Sequence, residues 1–225
     1  KDKSMKLNKI ISIPKSLYVN FKLFEFKKAI KLPIIISYNT KIVGIKRGVI
    51  DIKGNITRGL ITIGFDGFEG VQENKNSLLR IDNGGKIIFK GQAQFSAGIS
   101  LRLGPNGILN IGENFAANKN CCILCDGNMK IGSDALLGCN VNIRDSDGHE
   151  IYDIKSNNKN PIQKNIIIGN HVWIASYVDI LKGSKILDNS IVAYRSCVLS
   201  SFDKENCIIG GYPAKVLRDN VNWIK

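Results

Sequence analysis

No apolar run in this chain approaches the ~20 residues that a bilayer-crossing helix needs; Ile34-Ile35-Ile36 is only a short strand-like stretch. The N-terminus lacks the charged, then apolar, then small-residue order of a secretory signal, so a bacterial cytoplasmic location is expected. Without that signal, the six cysteines are expected to be reduced thiols, not a disulfide framework. Cys122 and Cys125 form a CxxC, yet no second pair stands at zinc-ribbon spacing and neither histidine is near, so no metal site is expected. Nucleic-acid motifs are also missing, which leaves no nucleic-acid partner. Proline is scarce, 5 residues against 22 glycines, and 44% of the chain is hydrophobic. That balance suits strands joined by tight turns. The lysines are distributed along the chain, and the net charge of +13 reads either as plain composition or as attraction to anions: a phosphate-bearing cofactor, a charged glycan or an anionic membrane surface.

What the chain does have is a period of six. Ile168, Ile174, Ile180, Ile186, Val192 and Val198 repeat in one phase. Val172, Val178, Ser184, Ser190, Ser196 and Phe202 follow, each four residues later. Six residues fit neither an α-helix nor a simple alternating strand. They fit short strands joined at the corners of a three-sided coil of about eighteen residues per turn, with one aliphatic side chain inward per side. The phase returns at Ile131, Leu137 and Ile143, at Ile111, Ala117 and Ile123, and at Phe89, Phe95 and Leu101. Cys121 falls on an inward phase, where it serves as a small hydrophobe. Ile63-Gly64, Ile111-Gly112, Ile131-Gly132 and Ile168-Gly169 mark corners where a Cβ would crowd the turn. The fold class expected is all-β, a parallel β-helix of hexapeptide repeats.

Three segments interrupt the repeat and divide the chain. Residues 1–40 form an N-terminal cap, in which 15–32 carry Leu17, Phe21, Phe24 and Leu32 at helical spacing before Pro33. This amphipathic helix either covers the open end of the coil or contacts a membrane surface. Residues 41–209 form the coil, with 42–63 a worn first turn and 144–165 a polar excursion of the length that functional loops have. Residues 210–225 leave the coil and run along its outside.

Three stretches carry a resemblance: Arg144-Asp145-Ser146-Asp147-Gly148-His149-Glu150-Ile151, then Ile166 to Ile174 with Ile180-Leu181-Lys182-Gly183, then Gly210-Gly211-Tyr212-Pro213-Ala214-Lys215. From about residue 85 onward the chain resembles the hexapeptide-repeat acyltransferases, and specifically the bacterial O-acetyltransferases of capsule, O-antigen and exopolysaccharide sugars. The resemblance implies a left-handed β-helix, acetyl-CoA as acyl donor, a sugar hydroxyl as acceptor and active sites at the clefts of a homotrimer. It also implies that His149 is the catalytic histidine. A sugar hydroxyl needs a base that removes its proton as it attacks the thioester, and a neutral imidazole suits that task. His171, on an outward phase at a corner, is the other histidine. Asp147 and Glu150 stand near His149 as candidate orienting partners.

Asn118, in Ala117-Asn118-Lys119-Asn120, resembles an acceptor-side asparagine of the maltose and galactoside enzymes; it is either a donor to the oxyanion or a corner residue. For the cofactor, the resemblance carries over onto Ala175, after Trp173-Ile174, and onto Ala193 in Ala193-Tyr194-Arg195-Ser196, where the family usually has glycine. Lys215 and Arg218 are the candidates for the CoA phosphates. Trp173 is either a platform for cofactor or sugar, or a filler at a subunit contact. Two histidines in the whole chain are too few for the three-histidine zinc site of a trimeric carbonic anhydrase. The large helical N-terminal domain of serine acetyltransferases has no counterpart. The remaining alternatives are an N-acyltransferase of nucleotide-linked amino sugars and a non-catalytic β-helix scaffold.

Overall fold

The computed structural model describes residues 2–73 and 75–224, with side chains from residue 7 onward. Lys1, at the start of the expected cap, Asn74, within the expected coil, and Lys225, at the end of the expected extension, lie outside the described residues. Strands recur in threes, each third strand stacking parallel on the one a turn earlier, which is a parallel β-helix. The first face runs from Ile34–Ile36 through Ile61–Ile63, Ala93–Phe95, Phe115–Ala117, Leu136–Leu137, Trp173–Ile174 and Ile191–Val192 to Ile208–Gly211. The second runs from Lys41–Val43 to Cys197–Val198, and the third from Ile50–Ile52 to Lys185–Ile186. Coil therefore begins at Ile34, inside the segment read as the cap, and the first turn precedes the one expected at 42–63.

The hexads point where their period puts them. Ile168, Ile174, Ile180, Ile186, Val192 and Val198 are fully buried, and so are Val172 and Val178. Inside the coil, large and small residues alternate between rungs: Phe115 stacks on Ala93 and Ala117 on Phe95. The rings of Phe89, Phe95 and Phe115 pack in series, with centroids 6.1 and 5.2 Å apart. A close-packed interior of this kind is sensitive to a single methylene.

Corners use two devices. At tight ones an added Cβ would strike the next rung; on Gly132 it would lie 2.3 Å from the carbonyl oxygen of Gly169. At others the chain turns through a left-handed residue. Between the first and second faces these are Gly98, Asn120, Asn140, Tyr177 and Arg195, with φ of 75°, 63°, 58°, 61° and 56°. Between the third and first they are Asn114, Asp134, His171, Asn189 and Asn206. Asparagine dominates because its short polar side chain tolerates this conformation at small cost.

The N-terminal segment differs from the single helix expected over 15–32. It forms α1 (Asp2–Ile11), α2 (Ile13–Leu23) and the short α3 (Phe26–Ala29). Its coil-facing residues are Ser12, Ser16, Val19, Asn20 and Leu23, whereas Leu17 and Phe21 point to solvent; Phe24 is buried and Leu32 half-buried. The reason is the edge strand Ile34–Ile36, whose backbone groups need partners. Asn20 receives the N–H of Ile34 at 3.2 Å and donates to its carbonyl at 2.7 Å. Ser16 receives the N–H of Ile36 at 3.1 Å, and Ser12 that of Tyr38 at 2.9 Å. A ladder of polar side chains one helical turn apart thus takes the place of the missing strand. No helix among the described residues is long and apolar enough to cross a membrane.

Candidate active site

The excursion between Arg144 and Ile166 is an antiparallel hairpin. The N–H of Lys164 bonds the carbonyl of Asp145 and that of Asp147 the carbonyl of Ile162, both at 3.0 Å. Farther out, Ile151–Tyr152 pair with Lys159–Asn160. Two side chains fasten this hairpin to the coil. Asp145 is fully buried, and its two carboxylate oxygens accept the N–H groups of Asp126 at 2.8 Å and Gly127 at 2.9 Å. Burial raises the pKa of this carboxyl, while the two backbone N–H groups oppose the rise. From the other side Lys182, 18% exposed, pairs with Asp147. It also donates to the carbonyl of Pro161 at 2.6 Å, so one lysine holds both arms.

His149 follows Gly148 on the outer part of this hairpin, where its side chain is exposed and makes no hydrogen bond among the described residues. Neither carboxylate expected to orient it does so: Asp147 is paired with Lys182, and Glu150 with Lys159 at 2.9 Å. His171 is tied into the coil at a left-handed corner. Its Nδ1 donates to Asn189 across 3.1 Å. Trp223 lies flat on its ring, centroids 4.4 Å apart and planes 6° from parallel, and donates its indole N–H to the His171 carbonyl at 2.8 Å. That is a structural clasp for the C-terminal segment.

Beside the hairpin an open groove of about 420 Å³ crosses the second face, with Asn142, Arg144, Asp179 and Leu181 as its floor, Asp147 and Lys182 at one end and Tyr212 at the other. Ladder bonds from the N–H groups of Asn118, Gly138, Ala175 and Ala193 to Leu137, Ile174, Val192 and Ile209 stack these residues in one column at the opposite edge of that face. Gly210, after Ile209, continues it. One short strand, roughly 10 Å at ~3.3 Å per residue, separates this edge from the hairpin. Small side chains here leave backbone N–H and C=O groups approachable, which an extended pantetheine-like chain requires. A Cβ on Gly210 would lie 3.0 Å from that of Ala193.

Asn118 heads the column. It donates its amide to the Leu137 carbonyl at 3.2 Å, and its oxygen accepts the N–H of Phe68 at 3.1 Å. Trp173 faces outward on the first face, 37% exposed, its ring 6.0 Å from that of Trp223. The bulk after Ala193 folds into a cluster of its own, the Arg195 guanidinium lying 5.6 Å from the rings of both Tyr177 and Tyr194. Lys215 and Arg218 lie on Ala214–Arg218, which runs antiparallel to Ile208–Gly211. A bulge opposite Ile208 and Ile209 pairs Lys215 with Gly210 and Arg218 with Ile208, so both cations share the outer side.

The CxxC cannot chelate a metal. Cys125 is buried inside the coil and Cys122 lies on the outer side of the same strand, as the alternation of side chains demands. Among the described residues no group of three or more His, Cys, Asp or Glu side chains is placed to hold a metal ion. Asp145, Lys182 and Trp223 received no role from the sequence. Their partners are 18 to 52 residues away, a separation that only the register of the turns converts into contact.

No protein-family model matches the chain. It is 35% identical over 111 residues to the galactoside O-acetyltransferase of Escherichia coli K12, covering 49% of this chain and 54% of that protein. It is 39% identical over 124 residues to the polysialic acid O-acetyltransferase of Neisseria meningitidis, covering 55% and 54%. A protein described as an uncharacterized 24.8 kDa protein in the cps region of Klebsiella pneumoniae is 29% identical over 205 residues, covering 91% and 87%. The chain spans about half the length of the two acetyltransferases.

Proposed function

We propose that this chain, a hexapeptide-repeat protein related in sequence to sugar O-acetyltransferases, moves an acetyl group from acetyl-CoA to a hydroxyl of a bacterial surface polysaccharide or its precursor. The observation that carries the reading is an exposed imidazole, His149, on a hairpin clasped to the coil at both arms, whose Ser146 and Asp147 line an open groove. His149 takes the proton of the sugar hydroxyl as that oxygen bonds to the thioester carbonyl carbon. Asn118 keeps one amide hydrogen beyond its bond to Leu137, and this hydrogen serves the oxyanion. The carbon–sulfur bond then breaks, and the imidazolium returns its proton to the departing thiolate. Lys215 and Arg218, on the outer side of the last strand pair, meet the CoA phosphates.

In this reading the working unit is a homotrimer, a neighbouring copy supplying the missing wall of the groove. Light scattering then reports a mass about three times the 24.8 kDa chain; a monomer removes the inter-subunit site. Acetyl-CoA-dependent thiol release, measured with and without neutral and acidic glycans, tests the activity. An enzyme releases thiol only with its acceptor present, and a scaffold releases none with any.

A further inference from the structure

The N-terminal helices bury polar residues and expose apolar ones. Ser12, Ser16 and Asn20 face the coil and are spent on its edge strand. Val19, Leu23 and Phe24 are buried, but a second set of apolar side chains points away: Ile10 is 61% exposed, Leu17 39%, Phe21 42%, Phe26 68% and Ile30 53%. Phe21 and Phe26 pack together with centroids 6.0 Å apart, so α2 and α3 present one continuous apolar surface. Water-facing apolar residues scattered singly are ordinary, but a contiguous face marks a contact.

Charge identifies the contact. The first 31 residues hold nine lysines and two acidic residues, a net +7 of the chain's +13. Lysine is thus concentrated here, with nine of the chain's 25 in these 31 residues, while the acids are no more frequent than elsewhere. Lys22, Lys27 and Lys31 are exposed around the apolar face. Beside Ile10 an apolar groove of about 270 Å³, floored by Ile13, Leu32 and Ile35, is rimmed by Lys9 and Arg58. Lys9 lies 3.9 Å from Asp66, a loose pair at the surface. A second copy of the chain would bring like charge against like charge; a lipid surface with anionic headgroups meets both the apolar face and its basic surround. We propose that α1 to α3 dock the coil onto an anionic membrane surface, with Leu17, Phe21 and Phe26 entering the headgroup region.

Cosedimentation of the full chain with phosphatidylcholine vesicles, with and without phosphatidylglycerol, tests this. Binding is expected only with phosphatidylglycerol and is expected to fall as salt rises. The combined Leu17→Ser, Phe21→Ser and Phe26→Ser variant should lose binding with an unchanged circular dichroism spectrum, because these residues are exposed. Lys22→Gln, Lys27→Gln and Lys31→Gln together should weaken partitioning on the order of a hundredfold. No binding to phosphatidylglycerol vesicles at low salt, or undiminished binding by the serine variant, overturns the proposal. So does a lower solution mass for that variant, which would show that another copy covers the face.

Discussion

Replacing Asp145 by alanine isolates the anchor of the hairpin. The substitution leaves the N–H groups of Asp126 and Gly127, now held at 2.8 and 2.9 Å, without acceptors in a fully buried site. Each orphaned donor costs about 1–3 kcal/mol, partly offset because a buried charge is removed as well. A net loss of about 2–4 kcal/mol follows, or about 4–16 °C in Tm at the scale of this chain. Because contacts in a solenoid are local, the loss concentrates at the neck of the hairpin. Hydrogen exchange should therefore quicken at Asp126, Gly127 and Lys164 before the distant turns respond.

Asp145→Asn adds a pH signature. Burial raises the folded-state pKa of the carboxyl above its usual 3.8, so the folded chain binds this proton more tightly than the unfolded one. The stability so gained is present below the ordinary carboxylate pKa and is lost as pH rises through the raised value. Asparagine does not titrate, so the cost of Asp145→Asn should shrink as pH rises through that window. An alanine variant with unchanged melting and exchange would refute the anchoring role; an asparagine cost that grows with pH would show instead that the two N–H bonds outweigh burial.

Two further expectations concern other parts of the molecule. Ala175→Leu fills the small-residue column from outside the core, so the KM for acetyl-CoA should rise at least tenfold with melting nearly unchanged; an unaltered KM would move the cofactor elsewhere. Thiol labelling at neutral pH should find Cys122 first, since it alone is half-buried. Burial pushes the Cys121 thiol up to about 12 and raises the Cys125 thiol as well, so both should label only on unfolding. Early labelling of Cys125 would contradict the inward phase.

The coil was legible because its signal is redundant: every turn repeats the inward positions, from Phe89, Phe95 and Leu101 to Val198, and a period of six has few rivals. Of the two readings the N-terminal helix allowed, an apolar stripe laid on the coil is not what forms, for a physical reason. An apolar stripe ordinarily marks the buried face, but here the buried partner is a strand edge, which needs hydrogen bonds and so selects Ser12, Ser16 and Asn20. The motif around His149 marked it as a candidate; what holds its hairpin was not legible. Lys182 reaches Asp147 and Pro161 across turns whose register no single segment reveals. His171 could have been recognised as a corner residue, since it occupies the position that Asn114, Asp134, Asn189 and Asn206 take in other turns.

The central claim is that the imidazole of His149 removes the acceptor's proton. Turnover of acetyl-CoA by His149→Ala, with the glycan that supports wild-type activity, tests it most directly. A fall in kcat of about 10²–10⁴-fold with an unchanged circular dichroism spectrum is the expected result, and a variant that folds normally and turns over at the wild-type rate would contradict it.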